Sequence, residues 1–141
     1  MNVKVISDVH LEFDHPGETF DPGTGDILVL AGDIIPAAEY GDEAHEFFIK
    51  CVEGYNRVFY VLGNHEHYGG NFNDTLTTLQ EKLPLGVTIM NNRSECVDGV
   101  HFIGGTLWTN FNNLDLETME TARECMNDYH LVDEFSPEVA L

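Results

Sequence analysis

The sequence predicts an α/β domain built on a parallel sheet, on three observations. Residues 3–7 (VKVIS), 27–31 (ILVLA) and 58–62 (VFYVL) are short runs of Val, Ile, Leu and aromatic residues, the pattern of strands buried on both faces. Between the second and third runs, Ala44, Phe47, Phe48, Cys51 and Val52 recur at helical spacing, which makes a strand-helix-strand unit with a right-handed crossover. Each run also breaks off into a polar cluster: Asp8-Val9-His10, Gly32-Asp33 and Gly63-Asn64-His65.

The remaining elements follow in order. Residues 11–26 are too rich in Pro and Gly for a helix and form an irregular excursion between the first two strands. Residues 41–55 are a helix with acidic residues at its start and Gly54 near its end. Residues 73–83 are a second helix, capped by Asn73 or Asp74 and stopped by Pro84. Strands are predicted over 87–90, 94–98 and 100–108, with Asp98-Gly99 as the hairpin turn between the last two. A final helix occupies much of 115–127, with Leu116, Met119, Ala122, Arg123 and Met126 on one face. Without repeats, low-complexity segments or linkers, residues 1–141 read as one domain.

Composition narrows the class. Hydrophobic residues make up 43% and charged residues 22%, which is globular. No apolar run approaches the roughly 20 residues of a membrane span, and MNVKVISDVH lacks the features of a signal peptide. Cys51, Cys96 and Cys125 form an odd set without CxxC spacing, as reduced thiols in a cytoplasm would. The 25 acidic residues against 6 basic ones give a formal net charge of −19, which repels phosphate backbones and argues against duplex nucleic acid as a partner.

If the three runs are parallel neighbours, their polar clusters emerge at one carboxyl edge, where open α/β sheets place ligands. In extended chain, residues i and i+2 share a side, so Asp8 and His10 could grip one ion together. The glycines before Asp33 and Asn64 allow a sharp exit and close backbone approach. Carboxylate, imidazole and amide oxygen together suit manganese, iron or zinc. Asp33, with two oxygens, could bridge two ions, the usual machinery for attack on a phosphate ester.

The segments ISDVHLEF, LVLAGDII and YVLGNHEHYG resemble the first three motif blocks of the calcineurin-like metallophosphoesterases. GVHFIGGTLWTNF and CMNDYHLV resemble later segments of bacterial and phage members. The resemblance implies a β-sandwich flanked by helices (α-β-β-α) and a metal-dependent phosphatase or phosphodiesterase acting on a phosphate ester. It further implies two divalent ions, manganese favoured, that activate a hydroxide for attack on phosphorus. Carried over by motif, Asp8 and His10 hold the first ion, Asp33 bridges both, and Asn64 binds the second through its amide oxygen. His65 is then no ligand but faces the substrate phosphate and stabilises or protonates the leaving oxygen. Glu66 fits a supporting role, holding His65 in orientation.

The family pattern continues with a His block and a Gly-His-x-His block, and the seven histidines at 10, 15, 45, 65, 67, 101 and 130 supply neither. The chain is therefore expected to be the N-terminal portion of the full fold. Two function classes stay open: a phosphoesterase whose missing histidines come from a complementary chain or a second copy, and a catalytically incomplete metal-binding or regulatory half-domain. Of the other histidines, His45 is expected on a helix surface, His101 within a sheet, and His67 in a loop beside the site. His15 is expected to face solvent, and His130 either to fold over the cleft or to lie on the surface.

Overall fold

The computed structural model describes residues 1–13 and 20–140. Four strands, β1 (Val3–Ile6), β2 (Gly25–Ala31), β3 (Tyr55–Val61) and β4 (Val87–Ile89), form a parallel sheet in that spatial order. Its register aligns Ile6, Leu30, Tyr60 and Ile89 in one row and Val5, Val29, Phe59 and Thr88 in the next. Because side chains alternate along a strand, the two rows face opposite sides. The first row, with Leu28 and Val58, packs against Phe47, Phe48 and Cys51 of α1 (Asp42–Gly54) and Leu79 of α2 (Thr75–Lys82).

The opposite face is covered in part by a hairpin, β5 (Arg93–Val97) and β6 (Val100–Gly104), paired antiparallel. Its turn residues Asp98 and Gly99 have φ of 50° and 78°, the positive values a two-residue turn of this kind requires. Phe102 meets Phe59 at 5.0 Å between ring centroids, over a small cluster of Ile27, Phe59 and Met90. The chain then runs through a single helical turn, α3 (Phe111–Leu114), to α4 (Leu116–Cys125) and α5 (Asp128–Leu131). These helices close a separate aromatic cluster in which Phe111, Met119, Val132 and Phe135 pack with Tyr68, Phe72 and Trp108.

The α/β class and the parallel sheet flanked by helices are as expected, and the differences are local. Strand β1 is not buried on both faces: Val3 and Val5 are 44% and 64% exposed, because β1 is the sheet edge and the hairpin covers only its inner neighbours. Strand β6 stops at Gly104, where a side chain would meet Met90 Cβ at 2.4 Å. Turn α3 is unforeseen in the sequence, with φ positive at Phe111, Asn112, Asn113 and Leu114, a left-handed turn. Asp115 then caps α4, its Oδ2 accepting from the Thr118 N–H at 2.8 Å and the Thr118 hydroxyl at 2.7 Å. Asn73, one of two expected caps of α2, bonds Glu134 instead, at 3.0 Å. His101, expected to pack within the sheet, is exposed. The middle of the 11–26 excursion, His15 included, lies outside the described residues.

All three cysteines are free, Cys51 buried and Cys96 and Cys125 exposed. Burial between α1, which carries it, and the sheet pushes the Cys51 thiol up to about 12, so it stays protonated at neutral pH. A thiol-disulfide reagent should therefore titrate two cysteines in the native protein and the third only after urea is added. Three fast-reacting thiols in native buffer would contradict the packing of α1 on the sheet.

Candidate metal centre

The parallel register delivers the ends of β1, β2 and β3 to one edge, and backbone hydrogen bonds bind their exit loops together. Asp8 N–H donates to Gly32 O at 3.0 Å, His10 N–H to Asp33 O at 3.1 Å, and Leu11 N–H to Ile34 O at 2.9 Å. Asp8, His10 and Asp33 take φ of 54°, 51° and 55°. Left-handed backbone is uncommon outside glycine, though Asp and His are among the residues that tolerate it, and such conformations gather at functional sites. Two glycines make the approach possible. A Cβ on Gly32 would lie 2.9 Å from Gly63 Cα, and one on Gly63 would lie 2.2 Å from Asp33 Oδ1.

Beneath these loops Glu66 is fully buried, and its carboxylate accepts four hydrogen bonds. Oε1 takes the Ile34 N–H at 2.7 Å and the Tyr60 hydroxyl at 2.6 Å; Oε2 takes the Asp33 N–H at 3.0 Å and the Gly63 N–H at 2.7 Å. Burial raises the pKa of this carboxyl, against the opposing pull of the four donors. An acceptor-only group facing four donors suits the ionised form.

Above, His10, Asp33 and His65 each offer one ligand atom, and these atoms lie within 4.8 Å of one another. Two imidazoles and a carboxylate fit a borderline divalent ion. Asp33 is oriented by the His65 N–H, which donates to its Oδ1 at 3.0 Å. Asn64 donates its amide N–H to Tyr68 Oη at 3.0 Å, and Tyr68 Oη lies 3.4 Å from Asp128 Oδ2. The Asn64 amide oxygen takes no hydrogen bond among the described residues, so it is left available for a cation. The ring of Tyr68 stacks on His65 at 4.3 Å.

Asp8, His10, Asp33, Asn64, His65 and Glu66 all lie on the three exit loops. The mutually close set, however, contains His65 and leaves out Asp8, which is exposed. The expectation that Asp8 and His10 share a side rested on extended chain, and their positive φ values show that the chain curls there instead. Glu66 does not hold His65, because its four bonds go to other groups; the partner of His65 is Glu12, whose Oε1 lies 3.0 Å from His65 Nδ1 and 3.0 Å from His10 Nδ1. Burial works against ionisation of Glu12, but its hydrogen bonds to His10, to backbone and to His65 outweigh that and hold its pKa below the ordinary value. Glu12 and Tyr68 were invisible to motif reading. The signal for Glu12 was its place in Asp8-Val9-His10-Leu11-Glu12, a second carboxylate two residues past the histidine. His67 is buried in the aromatic cluster, stacked on Phe72 at 4.6 Å, and His45 and His130 are exposed.

The Glu66 network predicts that Glu66→Gln, which retains shape, costs roughly 2–4 kcal/mol, since an amide NH₂ must then face backbone N–H groups. Gly63→Ala should cost about 1–3 kcal/mol by overpacking against Asp33. Urea unfolding with an unchanged m-value checks both. Wild-type midpoints for the pair would show that these contacts do not hold the loops.

Known proteins resemble this chain in sequence and in fold. The sequence profile described as calcineurin-like phosphoesterase matches residues 1–140. An uncharacterized protein of Acanthamoeba polyphaga mimivirus is 31% identical over 149 residues, covering 92% of this chain and 51% of that protein. A crystal structure of a phosphopantetheinyl hydrolase from Mycobacterium tuberculosis superposes with a TM-score of 0.65 at 20% identity, covering 98% of this chain and 57% of the other, a likeness of fold. The chain thus spans about half the length of the curated relative it matches. With the profile running through all but the last residue, the chain belongs to the calcineurin-like phosphoesterase family.

Proposed function

We propose that this chain carries the metal-binding half of a phosphoesterase centre that holds two divalent ions, manganese favoured over iron and zinc, and hydrolyses a phosphomonoester or phosphodiester. The observation that supports it most is the approach of His10 to Asp33 at the carboxyl edge of the parallel sheet, with the His65 ring close beside them. In this reading Asp8 and His10 would hold one ion, Asn64 would offer its amide oxygen to a second, and Asp33 would serve both. When bound, the ions neutralise the phosphoryl oxygens and lower the pKa of the attacking water.

The chain's own groups supply position and a proton. His65 is fixed between Tyr68 and Glu12, with Nδ1 engaged, so its other ring nitrogen is the one that can carry a proton to the leaving oxygen. Glu66 keeps the Asp33 and Gly63 loops in register. Further ligands would come from a complementary chain, a second copy or a further segment, because these 141 residues contain no Gly-His-x-His block. The uncovered Val3 and Val5 on edge strand β1 suit such an addition. A metal-binding module without turnover is the second reading, supported by the single compact ligand group among the described residues.

Calorimetric titration with manganese should show at least one site, weakened about tenfold or more in Asp33→Asn. Equal binding by the two proteins would remove Asp33 from the site. With manganese present, hydrolysis of an activated phosphodiester should be feeble for the chain alone and faster with a fragment bearing the later histidine blocks, since a misplacement of about 1 Å can cost roughly 100-fold. His65→Ala should depress turnover and spare metal affinity; a matching loss of affinity would make His65 a ligand instead. Metal binding with no turnover under any of these conditions would leave the binding module as the function.

A further inference from the structure

One carboxylate oxygen serves two imidazoles. Glu12 Oε1 lies 3.0 Å from His10 Nδ1 and 3.0 Å from His65 Nδ1, while the two rings meet edge to face at 4.4 Å. The Glu12 side chain is only 6% exposed, and its Oε2 is buried with no hydrogen bond among the described residues. A tight turn closed by the Phe13 N–H on His10 O at 3.1 Å folds the chain so that Glu12 returns to the histidine it follows. The Phe13 ring lies 5.4 Å from His10, and the Tyr68 ring stacks on His65 at 4.3 Å. Each imidazole thus has an aromatic neighbour, and the two share a single oxygen.

Burying a carboxylate of which one oxygen has no partner among the described residues is costly if its only task is to fill space. The cost is offset if the charge performs a task on the two imidazoles. A neutral imidazole carries one N–H, and whichever nitrogen holds it leaves the other as a lone pair. An ionised carboxylate only accepts, so both histidines must present Nδ1–H to it. Both Nε2 atoms are then lone-pair nitrogens: His10 can offer its own to a metal, and His65 can take up a proton on its own, giving the imidazolium that passes that proton to a leaving oxygen and returns to the neutral Nδ1–H form.

We propose that Glu12 is a positioning residue that fixes the tautomer and ring orientation of both His10 and His65, tying the metal-holding imidazole to the one that faces the substrate. The roles of the two histidines rest on the phosphoesterase reading above; the tautomer lock itself does not. Because one oxygen serves both rings, loss of Glu12 disturbs both together, whereas Tyr68 touches only one of them.

The test begins on the metal-free protein, with long-range proton–nitrogen correlation spectra of the histidine side chains. In wild type, His10 and His65 should both show the Nδ1–H tautomer at neutral pH, where exposed His101, with no side-chain hydrogen bond among the described residues, reports the ordinary preference for Nε2–H. In Glu12→Gln, a near-isosteric change, both rings should shift together toward Nε2–H or a mixture, with the melting transition still cooperative. Manganese affinity by calorimetry should fall about 10–100-fold, the usual effect of removing the group that orients a ligating histidine. Glu12→Asp, which keeps the charge on a shorter arm, should recover part of the tautomer signal. Nε2–H at both rings of wild type would overturn the proposal, and so would spectra unchanged by Glu12→Gln. The wild-type spectrum decides even if a variant fails to fold. A correct lock in a protein that hydrolyses nothing would reject the phosphoesterase reading and leave the lock standing.

Discussion

The Glu66 carboxylate is the interaction on which the site depends. It gathers backbone donors from the loop after β2 and the loop after β3, and it takes the hydroxyl of Tyr60 from the middle of the core. A charge with little solvent around it is stabilised by the donors that reach it, and here four donors meet the Glu66 carboxylate. Those donors would otherwise be orphaned, because a chain that turns sharply out of a parallel strand leaves its N–H groups without ladder partners. The same bonds that make Glu66 stable where it is therefore make the exits of β2 and β3 possible.

From that anchor the rest of the edge is assembled by backbone rather than by side chains. The loop after β1 docks on the loop after β2 through main-chain hydrogen bonds, which presents His10 beside Asp33. The His65 N–H then orients the Asp33 carboxylate, and Glu12 and Tyr68 orient His65. Side chains that could hold a cation thus sit on main chain already fixed by folding. The formal net charge of −19 sets a second condition, for it repels an anion from that edge unless cations offset it.

Much of this was legible in the sequence because it depends on local pattern. The runs that became β2 and β3 are apolar on both faces, and the amphipathic stretch that became α1 has a clear helical period. The polar clusters could be placed at one edge because parallel strands share a direction. What escaped depends on contacts distant in sequence. Glu12 and His65 are 53 residues apart, and nothing local says that they meet. Glu66 looked like a neighbour of His65, yet a one-residue step around a tight turn sends the two side chains to opposite sides of the loop, one toward the site and one into the core. The exposure of Val3 and Val5 also escaped, since apolar composition does not say whether a strand lies at the edge of its sheet. The left-handed turn at Phe111–Leu114 carries two asparagines that tolerate it, but Phe111 and Leu114 give no local warning.

The near contact of Gly32 with Gly63 has a consequence for motion. Where two loops are separated by side chains, each rotamer hop changes their spacing, and a ligand site built on them breathes with the core. Here main chain rests on main chain, with no room for even one methyl group between. Bond lengths and fixed peptide planes, rather than rotatable groups, set the distance from Asp33 to His65. The edge should behave as a stiff gauge set into a softer body, keeping its aperture while the surrounding helices and hairpin fluctuate.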